Sequence, residues 1–388
     1  MKSDHLPIDE SIRLANEEFE DVMESNDVVK GLATIEPYRE QSVYHSFIRC
    51  LYLIMTAMTS VEKVDIEAAQ QSVNDSIKIC NKYRKTGLVL SVMKMIKTPN
   101  YEKYTDCDYC KQILRTRSQW ESETSRLTFE GGVRMSTGFS HLAISNTPPK
   151  ILRIINFLGI RGVESVGWAQ INKVAFELPA LFSQLARLFR ILCWTYGDTH
   201  GGMGPINIDI CTQLLDKELN KYPKNLMLNI FRAKVEQLNG KIDSAIEWYL
   251  RLLDDPHVTP RRFLYFELTW CYALQSNWDT CIEYAEKFRT GSLYTPAIAT
   301  YMEAVFRYAK SAINDDQDEK QKATELFELV PTLRIRHLGK TMTPEKAAIV
   351  RAQEYIKNNE QLILPDVAIL YDMNYMLCIR GDTIHQIT

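Results

Sequence analysis

Four short stretches of this 388-residue sequence carry residue types that could do chemistry. Cys107-Asp108-Tyr109-Cys110 is a CxxC pair, the spacing of half a structural zinc site or of a redox disulfide. No second CxxC and no paired histidines follow at finger spacing, and no βαβ pattern surrounds it, so ordinary thiols are expected. Gly339-Lys340-Thr341 imitates the end of a phosphate-binding loop. The glycine that such a loop needs five residues earlier is Arg334, and a helical rather than a strand pattern precedes it. A turn before a proline-started helix is the simpler reading. Thr199-His200-Gly201-Gly202-Met203-Gly204 holds a histidine with no nucleophile or carboxylate fixed beside it. His141 sits among apolar residues, as a core histidine does. Neither a GxSxG nucleophile elbow nor an HExxH zinc motif occurs. No catalytic, cofactor-binding or metal-ligating residue is therefore expected, and the chain is not expected to be an enzyme.

The elements that position these residues follow from composition and periodicity. A 45% hydrophobic, 24% charged chain has a globular balance. A net charge of −3 gives no basic field for nucleic acid. The start lacks a secretory signal's apolar run, and 47–58, the longest apolar run, is interrupted by Arg49 and too short to span a bilayer. The nine cysteines mostly fall inside apolar helical patterns (Cys50, Cys80, Cys193, Cys271, Cys281, Cys378), which reads as reduced thiols in the cytoplasm.

Apolar spacing is helical almost throughout. Helices are predicted over 9–24, 40–60, from a cap at Asp65, and over 109–126, with a loop at 97–108. A segment rich in glycine follows (Gly131, Gly132, Gly138, Gly159, Gly162, Gly167), with Pro148-Pro149 opening a helix. The glycines fit close helix crossings and turns. Alternatively, the nearly all-apolar hairpin at 144–160, flanked by Lys150, Arg153 and Arg161, is a docking surface for a membrane or lipid droplet. An amphipathic helix at 180–194 and a glycine-rich loop at 196–205 complete this part.

Beyond it the chain repeats at the level of helix pairs. Residues 226–259 meet the 34-residue tetratricopeptide template at Ala233, Gly240, Ala245 and Tyr249. Residues 262–297 meet it at Tyr265, Leu268, Thr269, Tyr272, Cys281 and Phe288, although Ala285 stands where an aromatic is usual. Asn229, Arg232 and Glu236 occupy usually apolar positions. A third pair is predicted at about 294–330 around the acidic spacer 314–319, then helices opened by Pro344 and Pro365. Tyr249 and Tyr272 are expected in the core. First helices of such pairs line a concave face, which points to Lys234, Gln237, Phe263, Phe266 and Trp270 as partner-binding residues. The alternative is that the protein's own middle segment fills that groove.

Gly131-Gly132-Val133, Ser145-Asn146-Thr147-Pro148-Pro149-Lys150, Asn156-Phe157-Leu158-Gly159, the 240–249 stretch, Phe266-Glu267-Leu268-Thr269-Trp270-Cys271, Pro344-Glu345-Lys346 and Leu364-Pro365 with Tyr371 and Asn374 follow one another in a familiar order. By them the chain resembles the tetratricopeptide repeat protein 39 family, which includes the fungal inclusion-body-clearance proteins. The resemblance runs over roughly 8–376. It departs around 87–117, where the family's helices are longer, and after Asn374, where relatives carry a further repeat. It implies an all-α tetratricopeptide-like solenoid of helical hairpins, curled around the central Gly/Pro-containing segment. Three parts are expected: hairpins over 8–127, the family-specific segment 128–205, and repeats with closing helices over 206–388. The resemblance also implies a scaffold or adaptor that binds other proteins, without a cofactor or nucleic acid, and links it to inclusion clearance, lipid homeostasis or protein turnover. The expected location is cytoplasmic, with peripheral contact to organelle membranes or lipid droplets as the variant reading.

Overall fold

The computed structural model describes residues 6–60, 62–83, 106–147, 152–153, 161–179, 181–201, 207–255, 261–292, 294–336 and 341–379. Among the described residues the regular elements are helical and no strand is present. The chain divides into two compact units. One comprises Met1–Cys50, Ser72–Gly197 and Met203–Pro205, and the other Leu51–Gln71, Asp198–Gly202 and Ile206–Thr388.

In the first unit, α1 (Ile8–Ser25) buries Ile12, Ala15, Phe19, Val22 and Met23, one stripe at helical spacing. Asp27 caps α2 (Val28–Ile35) by accepting the Lys30 amide at 2.8 Å. The unit boundary passes through α3 (Val43–Ser60) and α4 (Lys63–Tyr83). Asp65 lies in the first turn of α4 rather than capping it, because the helix already starts at Lys63. The helix predicted over 109–126 is two: α5 (Asp106–Thr116) and α6 (Glu123–Ser145). Ser122 starts the second with a reciprocal capping box to Ser125, and its hydroxyl donates to Asp9 at 2.6 Å. The predicted boundary at 127/128 falls inside α6, so residues on both sides of it share one unit.

Helices α6 and α7 (Glu164–Glu177) meet through glycine. A Cβ at Gly138 would lie 2.7 Å from Ile171 Cδ1 and 3.0 Å from the Gly167 carbonyl. The amphipathic helix α8 (Leu181–Leu192) runs into a π turn, Cys193–Gly197, and a short helix α9 (Asp198–Gly201). The glycine-rich loop predicted from Tyr196 is therefore helical as far as Gly201, and Thr195 returns a hydrogen bond to the Ile191 carbonyl at 2.8 Å. The rest of that loop, most of the 97–108 loop and of the 144–160 hairpin, Pro148-Pro149, Gly159 and Gly339-Lys340 lie outside the described residues. No described helix is long and apolar enough to cross a membrane.

The second unit holds α10 (Ile208–Lys221) and three helical hairpins, α11 (Leu226–Leu238) with α12 (Ile242–Asp254), α13 (Arg262–Leu274) with α14 (Trp278–Arg289), and α15 (Pro296–Asn314) with α16 (Gln317–Leu329). Each pair packs on the next, and α17 (Thr343–Lys357) packs on α15. Ala233, Ala245, Thr269, Cys281, Ala285, Ala304 and Ala323 are fully buried, the small residues that let helix axes approach. Gly240 turns the first hairpin at φ 77°, in the left-handed region open to glycine. Asp316 caps α16 through the Asp318 and Glu319 amides, both at 3.1 Å. One apolar cluster runs from Ile230 to Cys378. Tyr249 belongs to it at 0% exposure. Tyr272 is not in the core but packs on its edge: it is half-buried and stacks flat on Tyr284 of α14, centroids 5.7 Å apart. The last turns are α18 (Pro365–Asp372) and a 3-10 turn, Tyr375–Cys378.

Candidate functional site

First helices of a repeat stack usually leave one face to solvent. Here α11 is buried on nearly every side, and α13 buries Leu264, Ala273, Leu274 and the whole turn from Glu267 through Cys271. From Leu228 to Leu238, α11 exposes only Arg232 in part. Most of the polar groups on it find partners inside, and Gln237 Oε1 is a buried acceptor with no partner among the described residues. The Asn229 amide donates to the Pro223 and Asn225 carbonyls at 3.0 and 2.7 Å. Arg232 pairs with Asp216 at 2.9 Å and with Glu236 at 3.0 Å.

Lys234, Gln237 and Trp270 are each 0% exposed, and Phe263 and Phe266 are half-buried. The Lys234 ammonium donates to Glu267 Oε2 at 3.1 Å, with both side chains wholly excluded from solvent. Gln237 Nε2 donates to Cys271 Sγ at 3.2 Å, and burial pushes that thiol well above its usual range. Phe266 meets Trp270 edge-on at 5.8 Å and Phe288 at 5.1 Å, so it packs against the repeat core from its edge.

What covers the inner face comes from far along the chain. Tyr375 stacks on Trp270 with centroids 4.5 Å apart and planes 15° from parallel. Its hydroxyl donates to the Glu267 carboxylate, 3.3 Å from each oxygen. Lys234 Nζ sits 4.3 Å from the centre of the same ring, a cation–π contact in a dry site. His200 packs against the ring at 5.1 Å, and its Nδ1 lies 2.9 Å from the Met373 carbonyl. Desolvation, and next the neighbouring Lys234 charge, lower the His200 pKa to about 3. The groove expected to present Lys234, Gln237 and Trp270 to a partner is thus occupied by this chain, partly by the middle segment (His200) and chiefly by Tyr375.

Sequence reasoning placed α11 and α13 residues on one face but missed Glu267, Tyr375 and His200 as their partners. Glu267 was visible inside Phe266-Glu267-Leu268; nothing local marks a residue 108 positions away as its hydrogen-bond donor. Glu345, inside the Pro344-Glu345-Lys346 stretch, was missed likewise. It is fully buried and accepts the Ile298 amide at 2.7 Å, a carboxylate set on the first turn of α15.

Outside the groove, an open cleft of about 430 Å³ is lined by Asp216, Leu219, Asn220, Pro223, Asn229 and Trp248. Its Asp216 and Asn229 are engaged as described. Of the CxxC pair, Cys110 is half-buried in α5, and the Cys107 side chain lies outside the described residues. His141 is half-buried and accepts the Val163 amide at 3.1 Å. Among the described residues, no three His, Cys, Asp or Glu side chains gather as metal ligands would.

Paired helices stacking through small residues, with the motif order described above, have a counterpart among known families. The family model for Iml2/Tetratricopeptide repeat protein 39 matches residues 20–107 and 89–379. The chain belongs to this family. One relative of the Iml2/tetratricopeptide repeat protein 39 family, Tetratricopeptide repeat protein ttc-39B of Caenorhabditis elegans, is 21% identical over 369 residues. That alignment covers 83% of this chain and 64% of the relative, so the chain spans just under two thirds of that protein's length. No solved structure matches the chain. Family membership agrees with the all-α repeat architecture.

Proposed function

We propose that this protein is a non-catalytic adaptor that holds other proteins through its helical repeats. The observation behind the proposal is the tandem of hairpins α11/α12, α13/α14 and α15/α16, whose first helices bring aromatic, ammonium and carboxylate groups to one face. Buried aromatic and charged groups of this kind are what peptide-binding grooves use as anchors. Lys234, Gln237, Phe263, Phe266 and Trp270 are the partner-facing residues in this reading, which requires the Tyr375 turn to yield. The cellular setting, as the resemblance implies, is cytoplasmic: inclusion clearance, lipid homeostasis or protein turnover.

The test is cross-linking in cells followed by purification of the full chain. Proteins enriched over an unrelated helical protein of equal abundance, and lost with Trp270→Ala where that variant folds, support the adaptor. No enrichment with a folded chain sinks it. Flotation with lipid droplets that is abolished by Leu152→Asp would favour membrane docking instead.

A further inference from the structure

The Lys234–Glu267 pair is poorly explained as a stability device. Removing two charges from water is costly, and an apolar pair of similar volume packs as well or better. Such a pair makes physical sense on a surface whose cover comes off, because both ions regain water when it leaves. The cover over this pair is chiefly the turn Tyr375–Cys378, with His200 packed on the Tyr375 ring. It touches the groove with functional groups matched one by one: a phenol hydroxyl on Glu267, a ring face under the Lys234 ammonium, the same ring on the Trp270 indole.

The attachment of this cover is strained. Asn359, Glu360, Leu364 and Asn374 all have positive φ, at 54°, 61°, 44° and 61°. Asparagine accepts that region readily; leucine does not, and a bulky residue held there is strained. Leu364 is 64% exposed, so little packing offsets its strain. The outer side of the segment is apolar and open as well, with Ile363 at 93% and Tyr371 at 72% exposure.

We propose that residues 365–378 are an internal ligand that keeps the α11/α13 groove occupied, and that the groove's external ligand is a partner segment whose tyrosine replaces Tyr375. The specificity lies in the hydroxyl. A phenylalanine would fill the same space and leave Glu267 one donor short in a dry site, which a tyrosine avoids. Displacement converts a strained, closed chain into an open one and exposes the buried Ile369, Leu370 and Tyr375 at the same time. This proposal rests on the protein-binding reading above, but its failure leaves other faces of the repeats available to partners.

Two measurements test it. Native-state hydrogen exchange on the full wild-type chain should show amides of 365–378 opening locally, ~100-fold faster than those of α13 and with little denaturant dependence. Identical rates and denaturant slopes in the two regions would make the turn an ordinary part of the core and overturn the proposal. The second measurement uses a fluorescent peptide of residues 367–379 added to full-length wild type and to Tyr375→Ala. The variant should bind at least about tenfold more tightly than wild type, whose groove is filled. The same peptide carrying Tyr375→Phe should bind about tenfold more weakly, the loss of one hydrogen bond to a charged acceptor. Equal binding to both proteins, or equal binding of both peptides, counts against it. Should Tyr375→Ala fail to fold, the exchange measurement on wild type decides alone. Partner enrichment lost in the cross-linking test while the peptide arms succeed would separate the adaptor reading from this one.

Discussion

At the scale of single residues, the chemistry of this protein lies in charges kept out of water. Glu267→Ala would strand the Lys234 ammonium, which has 0% exposure, and breaking a buried pair from one side costs about 3–5 kcal/mol. Urea melts of Glu267→Ala should show that loss, and Lys234→Met with Glu267→Leu should recover most of it. Two histidines supply a pH dependence. His45 is fully buried and lowered by desolvation, and His200 is lowered to about 3 by desolvation and by Lys234. Tyr38, 5.0 Å away, faces the His45 ring; Tyr375 faces His200, and the Lys234 charge acts on it. A histidine whose folded pKa is depressed contributes stability that is full above the unfolded value near 6.5 and is lost as pH falls below it. Each such histidine removes up to about 1.4 kcal/mol per pH unit below that point. Denaturation midpoints measured between pH 7.5 and 4.5 should fall on the acid side, and His200→Gln should flatten the slope.

At the scale of elements, caps and crossings decide which helices form where the repeat pattern requires them. Glu345→Ala removes the acceptor of the Ile298 amide and should cost about 2 kcal/mol, read as a lowered melting temperature. Gly138→Ala places a methyl group against Ile171 and the Gly167 carbonyl, and overpacking of that kind costs about 1–3 kcal/mol. The two template tyrosines separate cleanly: Tyr249→Ala should cost about 3–5 kcal/mol, and Tyr272→Ala only about 1, since its ring is half-buried and contributes mainly its stack on Tyr284. Both tyrosines occupy template positions, so the template alone ranks them equally. Burial differs because Tyr272 lies toward the outer side of α13, a matter of how α14 packs and not of spacing.

At the scale of the whole molecule, the second unit carries one contiguous apolar cluster from Ile230 to Cys378, built by neighbours stacking in series. Destabilising one end of such a stack is felt at the other. Tyr355→Ala in α17 should therefore raise global-opening exchange in α11 as well as in its own helix, measured by hydrogen exchange of α11 and α17 amides. An effect confined to α17 would mean the pairs open independently.

The sequence by itself determined the helical class, the pairing of helices over 226–330, and the proline-opened helices α17 and α18. These are consequences of local periodicity, small residues at crossings and capping chemistry, all written within a few dozen residues. Only the tertiary structure decided that Lys234, Gln237 and Trp270 are closed off from solvent. Whether Lys234 meets solvent, a partner or Tyr375 depends on where a turn more than a hundred residues away comes to rest, and the composition of α11 is compatible with all three. The same holds for Glu345: its carboxylate is an unremarkable first-turn acid in α17 until α15 brings its own amides to it. Local sequence sets each helix and its faces; what those faces touch is settled by packing between segments that carry no mark of one another.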